Sequence, residues 1–265
     1  MISEIAITNY KSILYQKFAL ARVNVFFGRS GSGKTNLLES VGMAAAAHDD
    51  ALDTGDLLKR GVRVTKPSLM FHAADGKEQS REIEINWCER NSTKKAKLVC
   101  EKPDSMDSWK DISCLEPAYI ARVNDLISFI SNGSFDDLYP FADQTKNMVL
   151  NAAFRGSRNF RDYLIYHAIT EPDIQELLMS NGSPAFFAID DIDTLLTPDM
   201  CSNVISAITT TAAKQNKQVL ITTSQPAIIH GMNLDDPILK LFLLERIEDG
   251  QTTVKEMADK TLIKF

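Results

Sequence analysis

The sequence predicts an α/β fold: a mostly parallel core sheet flanked by helices, with an N-terminal antiparallel β-subdomain and a helical insertion. Three observations carry that prediction. An apolar strand around Val23, Val25, Phe26 and Phe27 runs into a glycine-rich loop that opens a helix. A second apolar run, Ala185-Phe186-Phe187-Ala188-Ile189, delivers the acids Asp190 and Asp191 at its carboxyl end. A third, Gln218 to Thr223, ends in the polar segment Ser224-Gln225-Pro226, so three buried strands present chemistry at one edge.

Composition permits such a fold. With 265 residues, 44% of them apolar, the chain has material for one large domain or two small ones. A net charge of −6 argues against a protein that coats nucleic acid through bulk charge. The four cysteines (Cys88, Cys100, Cys114, Cys201) are widely spaced and no histidine cluster accompanies them. A disulfide framework or structural metal is therefore not expected, and a reducing cytoplasm is the expected location. Glu4 interrupts any secretory leader, and no run approaches the ~18 apolar residues of a membrane span.

The chain reads as a single domain in four stretches. In 1–60, Ile2 to Ile7 alternates apolar with polar residues and Lys17 to Ala21 offers a partner strand, so a hairpin leads into the glycine-rich loop. The helix after the loop spans Thr35 to about Ala47, with Leu37, Leu38 and Val41 on its buried side. In 61–117, Leu69 to Phe71, Ile83 to Trp87 and Lys97 to Cys100 read as strands of an inserted antiparallel sheet, with Asp75-Gly76 as a hairpin turn. Between Lys59 and Lys102, eleven Lys/Arg stand against six Asp/Glu. That excess would suit DNA or an acidic partner; strands edged with solvated Lys and Glu are the ordinary explanation. The stretch 118–180 reads as helical, with loops at Asn132-Gly133 and Tyr139-Pro140 and a helix from Asn159 to Thr170 that buries Phe160, Leu164 and Ala168. In 181–265, the second and third buried strands are followed by a closing hairpin, Leu239 to Arg246 and Thr252 to Glu256, turning at Glu248-Asp249-Gly250-Gln251.

The loop Gly28-Arg29-Ser30-Gly31-Ser32-Gly33-Lys34-Thr35 fits the phosphate-loop pattern G-x-x-x-x-G-K-[ST] at every fixed position. Its glycines let successive N–H groups turn inward around a phosphate, and the following helix offers that anion its positive end, beginning near Asn36. Lys34 would bridge the β- and γ-phosphates of a bound nucleotide, and the Thr35 hydroxyl would ligate Mg²⁺. A flexible Gly/Ser turn that happens to contain Lys-Thr is the bland alternative; the strand and helix on either side weigh against it. Asp190 is the expected Mg²⁺ carboxylate and Asp191 the expected base. The alternative for these acids is a polar turn in which Asp193 or Thr194 caps a helix.

With these pieces in order, the chain resembles the ATPase head of the ABC superfamily, in the branch shared by RecF, SMC-type proteins, OLD-family nucleases and small AAA-labelled defence ATPases. The resemblance rests on Ile2 to Ser12, on Gly28 to Glu39, on Ala188 to Asp193 with Leu196-Thr197-Pro198, and on Thr222 to Pro226 through Leu234. It implies ATP sandwiched between two heads packed head to tail, with Lys11 or Ser12 near the nucleotide. Gln144 is the position implied for a Mg²⁺-sensing glutamine, although an ordinary loop Gln is the plainer reading. Three features depart from the pattern. Asp191 replaces the usual glutamate, Ser224 stands at the switch histidine, and the signature loop is at best Phe154-Arg155-Gly156-Ser157.

Two functions follow as expectations. One is a slow Mg²⁺-dependent ATPase whose cycle opens and closes a head homodimer, in DNA repair or anti-phage defence. The other is a nucleotide-gated interaction module with vestigial hydrolysis. A kinase or GTPase is disfavoured, since no N/T-K-x-D motif is found. The chain ends near where a head would finish, so an effector is expected on a separate protein.

Overall fold

A computed structural model of the chain describes residues 1–72, 81–102, 104–113 and 158–259. Two sheets and the helices around them account for these residues. The first is antiparallel, in the order β2-β1-β4-β5-β6, and is built from β1 (Ile2–Tyr10), β2 (Ile13–Ala19), β4 (Glu82–Glu89), β5 (Ser92–Cys100) and β6 (Trp109–Asp111). The second runs in the order β11-β10-β3-β9-β8-β7. Its strands β10 (Leu239–Arg246), β3 (Val23–Phe27), β9 (Gln218–Thr223), β8 (Phe186–Asp190) and β7 (Ile165–His167) are mutually parallel, and β11 (Thr252–Met257) closes one edge antiparallel.

Helix α1 (Lys34–His48) lies between the sheets, which explains its composition. Nearly every residue from Leu37 to Ala47 is buried, and Ala44 to Ala47 keep the helix thin where β-sheets press from two sides. Alternate residues of the parallel strands feed two cores: Phe186 and Ala188 face α1, whereas Phe187 and Ile189 face the opposite layer. That outer layer is α4 (Glu171–Met179), α5 (Pro198–Lys214) and α6 (Pro226–His230). Strands buried on both faces become the continuous apolar runs seen in the sequence. Short helices α2 (Thr54–Lys59) and α3 (Arg158–Arg161) and the 3-10 turns Pro67–Leu69 and Ile192–Leu195 complete the described elements. No described helix is long and apolar enough to cross a membrane.

Two sequence expectations are corrected. Leu69 to Phe71 is not a strand: Pro67–Leu69 forms a 3-10 turn, and from this segment Phe71 alone bridges to Tyr10. Proline at the start of that turn fixes φ and removes a ladder donor. A hairpin the sequence reading did not assign joins β4 to β5 at Arg90-Asn91, whose φ values of 51° and 62° meet the left-handed demand of a type I′ turn; the turn expected at Asp75-Gly76 lies outside the described residues. The helix expected over Asn159 to Thr170 stops at Arg161. Ile165–His167 instead pairs parallel with Ala188–Asp190, leaving Ala168 exposed with φ 50°. Here an open sheet edge outcompetes helical periodicity: the Ile165 N–H bonds to Arg60 O at 2.9 Å and Leu164 O accepts from Ala188 N–H at 2.9 Å.

Several basic residues of the second stretch stand in ion pairs across the antiparallel sheet. Lys95 meets Glu84 at 2.8 Å, Lys97 meets Glu82 at 2.7 Å, and Lys110 meets Glu101 at 2.6 Å. Such exposed pairs contribute at most about 1 kcal/mol each; their role is to spend charge on a solvated sheet face.

Under that sheet, Trp87 stacks on Phe160 with ring centroids 4.2 Å apart, and His48 meets Trp87 edge-on at 5.5 Å. The His48 Nε2 is buried without a hydrogen-bond partner. Burial, reinforced by Lys94 and Arg161, holds its imidazole neutral and lowers its pKa from 6.5 to about 4. The unfolded chain therefore binds the extra proton first, so stability falls as pH drops through the window from about 6.5 to about 4. We expect urea unfolding to show a loss of about 1–2 kcal/mol between pH 7.5 and pH 5, with a shallower dependence in His48→Gln.

Candidate nucleotide-binding site

The carboxyl edge of the parallel sheet gathers the residues expected to act together. Strand β3 ends at Phe27, and Gly28 to Gly33 arch over the start of α1. Glycine is required at two of these positions. Gly33 has φ 100°, and a Cβ there would stand 2.1 Å from Thr252 Oγ1 and 2.9 Å from Ser12 Oγ. At Gly28 a Cβ would meet Ser32 Oγ and Leu244 O, each at 2.5 Å. The loop is thus closed down on the β10–β11 hairpin and on Ser12. Gly33→Ala is expected to lower stability by about 2 kcal/mol or more through left-handed strain and this overlap, a shift measurable as a reduced urea midpoint.

Arg29, Ser30 and Gly31 are exposed at the loop's crest, while Ser32 and Lys34 are buried. The Lys34 ammonium donates to Gly28 O at 3.0 Å and to Arg29 O at 3.3 Å, and it stands 3.6 Å from Asp191 Oδ1. No side chain caps the first turn of α1, and no acid lies in it. Its amide dipoles therefore present uncompensated positive charge beside Lys34.

Thr35 and Asp190, 155 positions apart in the chain, meet directly: Thr35 Oγ1 donates to Asp190 Oδ2 at 2.9 Å. On the other carboxylate oxygen, Asp190 Oδ1 accepts from Thr222 Oγ1 at 2.6 Å, and that hydroxyl accepts from the Asp191 N–H at 2.7 Å. Burial, the largest influence on the Asp190 carboxyl, raises its pKa, but hydrogen bonds from His167, Thr222 and Thr35 outweigh it and hold the group ionised. Asp191 is the opposite case. Burial first, then the charge of Asp190, raise its pKa despite Lys34. It sits at φ 47°, ψ 57°, a left-handed geometry that Asp tolerates, and its Oδ1 has no hydrogen-bond partner.

The remaining expected residues fall around this centre. Asn36 donates to Ser12 Oγ at 2.8 Å, and the same oxygen accepts from Thr252 Oγ1 at 2.7 Å, so Ser12 is a brace of the loop. Lys11 directs its charge to the fully buried Glu39 at 2.6 Å, shared with Arg63 at 2.6 Å. Ser224 is exposed and bonds to Asp193, which also accepts from Thr223 Oγ1 at 2.6 Å. Asp193 therefore ties the ends of β8 and β9 together and caps no helix. Gln144 and Phe154 to Ser157 lie outside the described residues.

Sequence reasoning missed two contributors. Thr222 anchors both acids, and its only signal was a hydroxyl at the end of a buried strand. His167 ends β7 with its Nδ1 3.3 Å from Asp190 Oδ2 and its Nε2 2.9 Å from Gly61 O. The hydrogen bond to Asp190 is the first cause of its raised pKa. The helical assignment of its segment hid it.

The residues fit a nucleotide triphosphate and its magnesium. The polar interior of the loop includes a buried hydroxyl, Ser32 Oγ, without a partner, and Thr35 with Asp190 is a hard oxygen pair. Among the described residues no group of three or more His, Cys, Asp or Glu gathers as a metal cluster. A cation held here would therefore need phosphate oxygens to complete its shell.

No family model matches the sequence, and no curated protein matches it. Solved structures do match in fold. The chain is similar to the SMC head domain from Thermotoga maritima at 10% identity and a TM-score of 0.51, over 97% of this chain and 98% of that one. It is equally similar, at 14% identity and a TM-score of 0.51 over 98% of each chain, to an Smc head crystallised bound to the C-winged-helix domain of ScpA. The shared feature is an SMC-head-like mixed α/β fold with two sheets.

Proposed function

We propose that this chain is an ATP-binding, ABC-type ATPase head that hydrolyses ATP slowly with Mg²⁺. The observation that carries the reading is the Thr35–Asp190 hydrogen bond at 2.9 Å beside the Lys34 ammonium. It joins the phosphate loop to the acid of a distant strand. The likeness in fold to SMC heads supports it.

In this reading Gly28 to Thr35 wrap the phosphates with backbone amides, and Lys34 moves from the Gly28 and Arg29 carbonyls onto the outer phosphates. Thr35 and Asp190 hold the magnesium, which when bound offsets charge on the triphosphate. Asp191, whose carboxyl is shifted toward neutral pH, accepts the proton of the water that attacks the terminal phosphorus as the bond to ADP breaks. Its short side chain and the absence of a ring nitrogen at Ser224 keep turnover slow. Head-to-tail dimerisation around ATP and control of a separate effector, in repair or defence, belong to the same proposal, as does the expected magnesium-sensing role of Gln144. One of the two similar heads was solved with a partner protein seated on it.

A second reading is favoured by Ser224, which is occupied with Asp193 at 3.4 Å: a nucleotide-gated module in which hydrolysis is vestigial. Titration with a fluorescent ATP analogue, with and without Mg²⁺, alongside phosphate release tests both. Saturable, Mg²⁺-enhanced uptake is expected; its absence would sink the proposal, and uptake without phosphate release would select the module.

A further inference from the structure

Independently of the ATP reading, we infer that the groove between α4 and α5 is a docking site for an amphipathic helix of a partner protein, one that presents large apolar side chains flanked by Lys or Arg. The groove encloses about 250 Å³. Its floor is apolar: Ile174 and Val204 are buried, and Leu196, Met200 and Ala207 line the space above them. The acids Glu171 and Asp199 are exposed at its rim, and the lining includes no Lys, Arg or His.

Size and charge select the occupant. Small-molecule pockets usually run from about 300 to 1,000 Å³, so this groove falls short of a cofactor site and suits one or two side chains of a helix laid along it. Charge then gives the sign. Helix α4 carries Glu171, Asp173 and Glu176 and no base, and the lysine of α5, Lys214, stands at the end of that helix remote from Asp199. Such a face repels the phosphates of nucleic acid and of anionic lipid, and it attracts a basic segment. Met200 suits a contact of this kind, because an unbranched thioether repacks around side chains of different shape.

The groove also lies where docking would be felt. Leu196 ends the 3-10 turn Ile192–Leu195 that follows Asp191, and Leu195 beside it is 51% exposed. A helix seated on Leu196 and Met200 would therefore press on the stretch of chain that carries Asp191.

The test uses the full chain and two dye-labelled synthetic helical peptides, one of Leu and Lys and one of Leu and Glu, both with Leu at i, i+3, i+4 and i+7. Fluorescence anisotropy is expected to show saturable binding of the Leu/Lys peptide, weakened by salt, and no binding of the Leu/Glu peptide. Ala207→Trp fills the groove from an exposed helical position. It should weaken binding of the Leu/Lys peptide by at least ~10-fold, as should Glu171→Gln combined with Asp199→Asn, with circular dichroism confirming that both variants are folded. Unchanged affinity in both variants, or no saturable binding to the wild type, would overturn the inference. Light scattering that showed the wild type self-associating and Ala207→Trp monomeric would assign the groove to a second copy of the chain, and would overturn it as well.

Discussion

Lys34→Ala is expected to weaken ATP binding by at least about 100-fold, because charge-assisted hydrogen bonds contribute about 1.5–3 kcal/mol each and this ammonium would make more than one. The group is buried at the loop: Gly28 O and Arg29 O hold it at 3.0 and 3.3 Å, in front of the uncapped first turn of α1. Removing it leaves those carbonyls without this partner, so a loss of about 1–2 kcal/mol in stability should accompany the change. Circular dichroism at the assay temperature separates the two effects. A folded variant that took up ATP as tightly as the wild type would remove Lys34 from the site.

The second large effect belongs to Asp191. Asparagine preserves the left-handed backbone at φ 47° and the size of the side chain, and removes the capacity to accept a proton together with the negative charge 3.6 Å from Lys34. Asp191→Asn is expected to cut phosphate release by about 10²–10⁴-fold, the usual range for a general base, while ATP affinity persists. Light scattering should then show an ATP-dependent dimer that outlives the wild-type one. Phosphate release and molar mass equal to the wild type would instead favour the gated module, in which Asp191 would be a neighbour of Lys34 and nothing more.

Much of the core was legible because local rules act there without competition. Val23–Phe27, Phe186–Asp190 and Gln218–Thr223 are buried on both faces, so their apolar runs could only be central strands. Where an edge was open, the same reasoning failed. The segment around Leu164 has helical spacing, yet pairing with Ala188 and Asp190 turned it into β7 and carried His167 to the site. The turn at Arg90-Asn91 was missed because Arg is a poor signal for positive φ, although Asn beside it is a fair one.

By itself, the sequence determined the glycine-rich loop, the acid-terminated strand and their α/β setting, since glycine conformations, continuous apolar runs and the Lys-Thr pair are properties of short contiguous segments. Only the tertiary structure decided which distant side chains share one carboxylate: Thr35, Thr222 and His167 all converge on Asp190. The physical reason is that strand order in a parallel sheet is set by the packing of β7, β8, β9 and β3 between two helical layers. No local pattern encodes that order.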